Sequence, residues 1–172
     1  MKKTLVILAH PNLKDSIINK AWKNRLAKES NITIHDLYEK YPDGHIDVAY
    51  EQQLLLNHEK IVFQFPFYWY SSPSRLKEWQ DVVLTYGWAY GSEGTKLHGK
   101  EFMLAISTGG PEEAYQAGGY NAYSMSELTK PFQAMANLTG MKFLPTFTIH
   151  GVLVLTEEEV QESAEKFVRH LQ

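Results

Sequence analysis

The 172-residue sequence predicts a doubly wound α/β fold, a five-stranded parallel sheet of order 2-1-3-4-5 sandwiched between two layers of helices. Three observations predict it. Continuous apolar runs at Thr4 to Ala9, Ile61 to Pro66 and Phe102 to Ser107 are of the kind found in strands covered on both faces. Segments with apolar residues at helical spacing alternate with these runs. Parallel strands also need crossover connections, which such helices supply with right-handed geometry.

Taken in order, Thr4 to Ala9 is strand 1. Lys2 and Lys3 precede it, but the run is short, lacks a small-residue cleavage site and ends in His-Pro, so a strand is expected rather than a leader. Ile17, Ile18, Ala21, Trp22 and Leu26 then recur at helical spacing. Ile32 to Leu37 is expected as strand 2, and Val48 to Asn57 as a short helix with Leu54, Leu55 and Leu56 on or near its apolar side. Strand 3 stops at Pro66, because proline donates nothing to a ladder. Pro73 to Tyr86 should be a helix with Leu76, Trp79, Val83 and Tyr86 on one face. After strand 4, a helix around Ser126 to Thr139 ends at Gly140 as its C-cap. Lys142 to Ile149 reads as strand 5, and Pro145 inside it argues for an edge. The last helix opens on a capping box of Thr156 and Glu159, with Val160, Ala164, Phe167, Val168 and Leu171 inward.

Composition narrows the function. Residues 1–172 suit one domain, and a net charge of -3, from 17 basic and 20 acidic residues spread along the chain, lacks the basic stripe of a nucleic-acid binder. The absence of cysteine excludes disulfides, thiolate metal sites and cysteine nucleophiles, and fits a reducing, cytoplasmic setting. No apolar segment approaches the ~20 residues that span a bilayer, so any membrane association is expected to be peripheral. Seven histidines include no pair at i, i+4 spacing, and no metal site is expected.

In the 2-1-3-4-5 order the ligand crevice lies at the carboxyl ends of strands 1 and 3, which selects three loops. The first, HPNLKDSIINK from His10 to Lys20, offers Ser16 as a helix cap and free amides where the helix dipole favours an anion such as a phosphate. It has no dinucleotide or P-loop glycines, and simple capping by Ser16 explains the stretch equally well. The second, PFYWYSSP from Pro66 to Pro73, carries four consecutive aromatics that cannot all point inward. They cover either a planar ring or a packing surface. The third, STGGPEEAY from Ser107 to Tyr115, pairs Gly109 with Gly110, which permits close backbone approach, beside the hydrogen-bonding Thr108.

These motifs resemble those of the flavodoxin-like NAD(P)H:quinone oxidoreductase family, most closely its small bacterial branch, which includes the ancillary oxidoreductases of glutathione-gated potassium efflux systems. The resemblance rests on LAHP, the S-x-x-N at Ser16 to Asn19, F-P-x-x-W-Y at Phe65 to Tyr70, GWAYG at Gly87 to Gly91, LHGK at Leu97 to Lys100 and S-T-G-G at Ser107 to Gly110. It implies a flavodoxin-like three-layer sandwich and a bound flavin, FMN with FAD as the alternative, reduced by NAD(P)H. The phosphate would lie on His10, Ser16, Ile17, Ile18 and Asn19. The isoalloxazine ring would rest between Phe67, Tyr68, Trp69 and Tyr70 on one side and Ser107, Thr108, Gly109 and Gly110 on the other. Tyr115 matches a tyrosine near the flavin in some relatives, and would act catalytically by polarising the ring.

The resemblance further implies two-electron, ping-pong reduction of quinones, or of nitro or azo compounds, in a homodimer. Trp88 and Tyr90 would wall the substrate site, line a homodimer contact or pack as loop aromatics. One departure stands out: relatives with a quinone site often carry a histidine several residues after the tyrosine, where this chain reads QAGGYN. Two other roles remain open at this stage, a regulatory flavoprotein subunit on a potassium efflux transporter and a flavodoxin-type electron carrier. His150, at a strand end, is a further histidine that could lie near the pocket.

Overall fold

The computed structural model describes all 172 residues. Its strands are Thr4–Leu8 (β1), Ile32–Asp36 (β2), Lys60–Pro66 (β3), Glu101–Ser107 (β4), Lys142–Phe143 (β5) and Phe147–Ile149 (β6). Its α-helices are Ile18–Leu26 (α1), Leu37–Lys40 (α2), Val48–Leu56 (α3), Ser74–Val83 (α4), Met125–Leu128 (α5), Lys130–Leu138 (α6) and Glu157–Leu171 (α7). The sheet runs β2-β1-β3-β4-β5 with every pairing parallel, and β6 also pairs with β4. The expected strand order therefore holds.

Alternation along the central strands builds two cores. Leu5, Ile7, Phe63, Phe65, Phe102 and Leu104 face one layer, where Leu55, Leu76, Trp79 and Phe132 of α3, α4 and α6 cover them. Val6, Val62, Met103 and Ala105 face the other, under Trp22 of α1 and Phe167 of α7. Because both faces are buried, these strands read as continuous apolar runs.

Four boundaries depart from expectation. Leu37 begins α2 rather than ending strand 2, because the Asp36 side chain accepts from the amides of Tyr38 and Glu39 and caps a helical turn. Helix α4 stops at Val83, Leu84 leaves helical geometry, and Tyr86 is 74% exposed rather than on an inner face. The helix expected at Ser126 to Thr139 is two, α5 and α6, and it does end at Gly140, whose φ of 72° is left-handed. Strand 5 is also two pieces: Lys142 pairs with Glu101 and Phe147 with Ala105, and the break between them holds Pro145.

The register fixes the working edge. Pro66 lies beside Ser107, and Ser107 beside Ile149, so β3, β4 and β6 release their chains at one level next to the end of β1. All three candidate loops leave from that edge.

Candidate functional site: a helix start and an aromatic bay

After β1 the chain turns through a short 3-10 segment, Leu13–Asp15, before α1 begins. Ser16 is extended, and its Oγ accepts from the Asn19 amide at 3.1 Å, the expected capping bond. The amides of Ile17 and Ile18 find no acceptor in the chain. Both point out of the positive end of the α1 dipole, which suits an anion.

These residues border a cleft of about 210 Å³ with His10, Asn19, Pro66, Ser107, Val152 and Leu153. His10 Nδ1 accepts from the Asn12 amide at 3.0 Å, so a neutral ring carries its proton on Nε2. Burial keeps that ring neutral by lowering its pKa, although Asp36 opposes the shift. Asn19 donates from Nδ2 to Ser107 Oγ at 3.0 Å, leaving the Ser107 hydroxyl proton free to serve a ligand. Gln64 holds Asn19 in turn, with its Nε2 3.2 Å from both the carbonyl and Oδ1 of Asn19. Asp15 also borders the cleft, and its carboxylate is tied to Asn12 Nδ2 at 2.6 Å.

Next to it, Phe67, Trp69, Tyr70, Gly109, Gly110, Tyr115, Tyr120 and Asn121 line an open bay of about 270 Å³. Its aromatic rim is held by an unusual turn. Tyr68 and Ser71 exchange both backbone hydrogen bonds, at 3.0 and 2.9 Å, and the two residues between them, Trp69 and Tyr70, have φ of 46° and 61°. Two successive positive φ values mark a type I′ turn, which favours Asn-Gly. Here it carries Trp-Tyr at a cost of about 1–2 kcal/mol per residue. In return Trp69 stands 93% exposed at the mouth of the bay, and Tyr70 donates its hydroxyl to Asn121 Oδ1 at 3.0 Å. Replacing Trp69 with Asn and Tyr70 with Gly together should raise the melting temperature by several degrees while removing the aromatic rim. A lower melting temperature would show that the turn is not strained.

Across the bay, Thr108 Oγ1 lies 2.8 Å from Gly110 O and 2.8 Å from His150 Nδ1. A β-carbon added to Gly110 would fall 3.0 Å from the Tyr115 hydroxyl and 2.9 Å from that of Tyr120, so a side chain here would push the ends of both phenols back from this turn. Burial pushes the Tyr115 phenol above its ordinary pKa, outweighing Thr108 and the Gly110 amide, and at neutral pH it remains a hydrogen-bond donor.

The expected residues thus divide between two adjoining spaces. His10, Ser16, Ile17, Ile18, Asn19 and Ser107 border the cleft, and Phe67, Trp69, Tyr70, Gly109, Gly110 and Tyr115 border the bay. Thr108 is buried behind its own turn, and Tyr68 borders neither space. Trp88 packs half-buried against the core, and Tyr90 lines a separate cleft of about 560 Å³ between α4 and α6. Tyr120 in the bay and the Val152 and Leu153 lip were absent from the sequence reading; a Gly118-Gly119 pair just before Tyr120 was the available signal. A larger cleft of about 610 Å³ beside β6 and α7 is bordered by Glu112, Glu159 and Glu162, a poor setting for an anion. No group of three or more metal-ligating side chains occurs, and no helix is long and apolar enough to cross a membrane.

The arrangement suits a flat, phosphorylated ligand: unpaired amides and hydroxyls at a helix start, adjoining an open bay walled by rings and glycines. Comparison with known proteins points the same way. The chain is 62% identical to the uncharacterized NAD(P)H oxidoreductase YrkL of Bacillus subtilis, over 98% of this chain and 97% of the relative. It is 42% identical to the glutathione-regulated potassium-efflux system ancillary protein KefG of Yersinia enterocolitica, over 99% and 92%.

Among solved structures, one named as a thermophilic tryptophan halogenase from Streptomycin violaceusniger superposes with a TM-score of 0.95 at 51% identity, covering 97% of each chain. General stress protein 14 of Treponema denticola, in complex with FMN, gives 0.94 at 42%, covering 98% and 97%. An NADPH-quinone reductase of P. pentosaceus gives 0.90 at 37%, covering 99% and 98%. A family profile described as Flavodoxin-like fold matches residues 2–171, and with that match and these relatives the chain belongs to the flavodoxin-like fold family.

Proposed function

We propose that this chain is an FMN-dependent NAD(P)H:quinone oxidoreductase, built as one 172-residue domain. The observation that carries the reading is the junction of an anion-ready helix start with an aromatic and glycine-walled bay along one sheet edge. The FMN complex of the Treponema denticola relative and the reductase names of the others support it. FMN, when bound, would supply two-electron chemistry between NAD(P)H and a quinone.

The chain's residues bind and orient. The Ile17 and Ile18 amides, the Ser16 hydroxyl and His10 Nε2–H hold the phosphate, with Asn19 keeping Ser107 in place. Phe67, Trp69 and Tyr70 face Gly109 and Gly110 across the ring's place, with Thr108 fixing the glycine turn. Tyr115, kept protonated, would offer a hydrogen-bond donor at the rim of the bay to a ring held there. One open bay admits donor and acceptor in turn, which gives ping-pong kinetics. Azo or nitro compounds fit the same flat opening. A homodimer would cover the apolar cleft lined by Leu84, Tyr90, Met135 and Leu138.

The test is an absorbance spectrum of protein reconstituted with FMN, desalted and mixed anaerobically with NADPH or NADH. Retained yellow colour, bleached by a nicotinamide and restored by a quinone, is expected. Loss of flavin on desalting overturns the reading. Retained flavin that ignores both nicotinamides identifies an electron carrier instead. Tryptophan with halide serves as the control for the halogenase name of one neighbour, and no halogenated product is expected. The 42% identity to KefG favours one second reading, a regulatory flavoprotein docked on a potassium efflux transporter, which co-purification with such a transporter would reveal.

A further inference from the structure

His150 is a half-buried polar side chain to which the proposed reaction gives no task. It follows β6, and the pairing of Ser107 with Ile149 makes Thr108 and His150 the next residues on two neighbouring strands. Thr108 is 1% exposed, so its hydroxyl must find partners within the protein. Of the two at 2.8 Å, Gly110 O can only accept, and therefore takes the Thr108 proton. His150 must then donate, which requires a proton on Nδ1. Its ring also lies against Tyr115, with centroids 5.2 Å apart and planes at 30°.

We propose that His150 is a positioning residue of the flavin pocket: by donating from Nδ1 to Thr108 it directs the Thr108 hydroxyl to Gly110 and sets the shape of the glycine turn. The ligand in this statement rests on the proposed flavin function; the hydrogen bonds do not. The groups facing the ring are Glu112 beside the turn, Tyr115, and Glu159, Glu162 and Lys166 of α7 across the larger cleft. Burial lowers the imidazole pKa, with Glu112 opposing, so the ring is neutral at pH 7 and carries a single proton. The tautomer is therefore decisive. A proton on Nε2 instead would leave Nδ1 as an acceptor, draw the Thr108 proton away from Gly110 and release the turn.

Two variants separate the hydrogen bond from the ring. His150→Asn keeps an N–H donor near the place of Nδ1, whereas His150→Phe keeps a ring against Tyr115 and has no donor. In fluorescence titrations with FMN, His150→Phe should bind about tenfold more weakly, the worth of one lost hydrogen bond, and His150→Asn within about threefold of the parent. Equal affinities in the two variants, whether weakened or unchanged, overturn the proposal. Nitrogen-15 NMR of the flavin-free protein gives an independent reading. Nδ1–H is expected in the parent, shifting toward Nε2–H in Thr108→Val, and Nε2–H in the parent overturns the proposal whatever the protein binds. A parent that shows Nδ1–H but binds no FMN supports the positioning bonds and overturns the flavin reading.

Discussion

Replacing Glu51 with alanine is expected to lower the stability of this protein more than any other single change outside its apolar core. Glu51 sits in the first turn of α3, fully buried, and its carboxylate joins three other segments. Oε1 meets His35 Nε2 of β2 at 2.7 Å and accepts from the Tyr41 hydroxyl at 2.5 Å, and Oε2 accepts from Trp79 Nε1 of α4 at 2.8 Å. Alanine would strand all three partners where water does not reach them. Breaking a buried, hydrogen-bonded charge costs about 3–5 kcal/mol, which in a chain of this size lowers the melting temperature by roughly 10 °C. Glu51→Gln, which keeps one acceptor oxygen, should lose about half as much. A melting temperature within a few degrees of the parent for Glu51→Ala would mean that the network contributes little.

The same carboxylate gives a signed pH dependence. Burial alone would push its pKa up, but hydrogen bonds from His35, Tyr41 and Trp79 prevail and hold it below the ordinary carboxylate value. A depressed folded-state pKa contributes stability that is complete above the unfolded-state value, about 4.5, and is lost as the pH falls through the folded-state value. Glu51→Gln should therefore flatten the acid limb of the stability profile and leave its shape above pH 6 unchanged. An acid limb as steep as the parent's would assign acid unfolding to other carboxylates.

What periodicity could reveal was the layered frame, because β1, β3 and β4 are buried on both faces and are therefore predominantly apolar. What it could not reveal depends on particular pairings. Leu54 to Leu56 suggested an apolar side for α3, yet the fully buried positions of that helix are Leu55 and the charged Glu51, whose burial is possible only because His35, Tyr41 and Trp79 arrive from elsewhere. His150 becomes a partner of Thr108 only through the β4–β6 register, and that register depends on how the chain divides around Pro145. The turn at Trp69 and Tyr70 was hidden because it breaks the local rule: neither residue advertises a positive φ. Local rules fail here beside the bay, where strain held in place by surrounding structure is an expected mark of a working site. The cap at the start of α1 was legible because capping chemistry is local, and Ser16 and Asn19 lie three residues apart.

Ile17→Pro is expected to separate ligand binding from stability at that loop. Ile17 has φ of -76°, close to the angle that proline imposes, and Ser16 before it is extended, the conformation that a following proline prefers. The Ile17 side chain is 65% exposed, and its carbonyl still accepts from Ala21. The only hydrogen-bonding group removed is an amide that has no partner in the protein. The fold should be unchanged or more stable by about 0.4–1 kcal/mol, because proline restricts the unfolded chain. FMN should bind roughly 10- to 100-fold more weakly, since a hydrogen bond to a charged phosphate is worth about 1.5–3 kcal/mol. Ile17→Ala keeps the amide and should bind FMN within about twofold of the parent. Riboflavin, which has the ring but no phosphate, sharpens the test: its affinity should be the same in the parent and in Ile17→Pro. Equal weakening of FMN and riboflavin would mean that the proline distorts the pocket as a whole. Unchanged FMN affinity in a folded Ile17→Pro protein would move the phosphate away from the start of α1, and with it the flavin from this edge of the sheet.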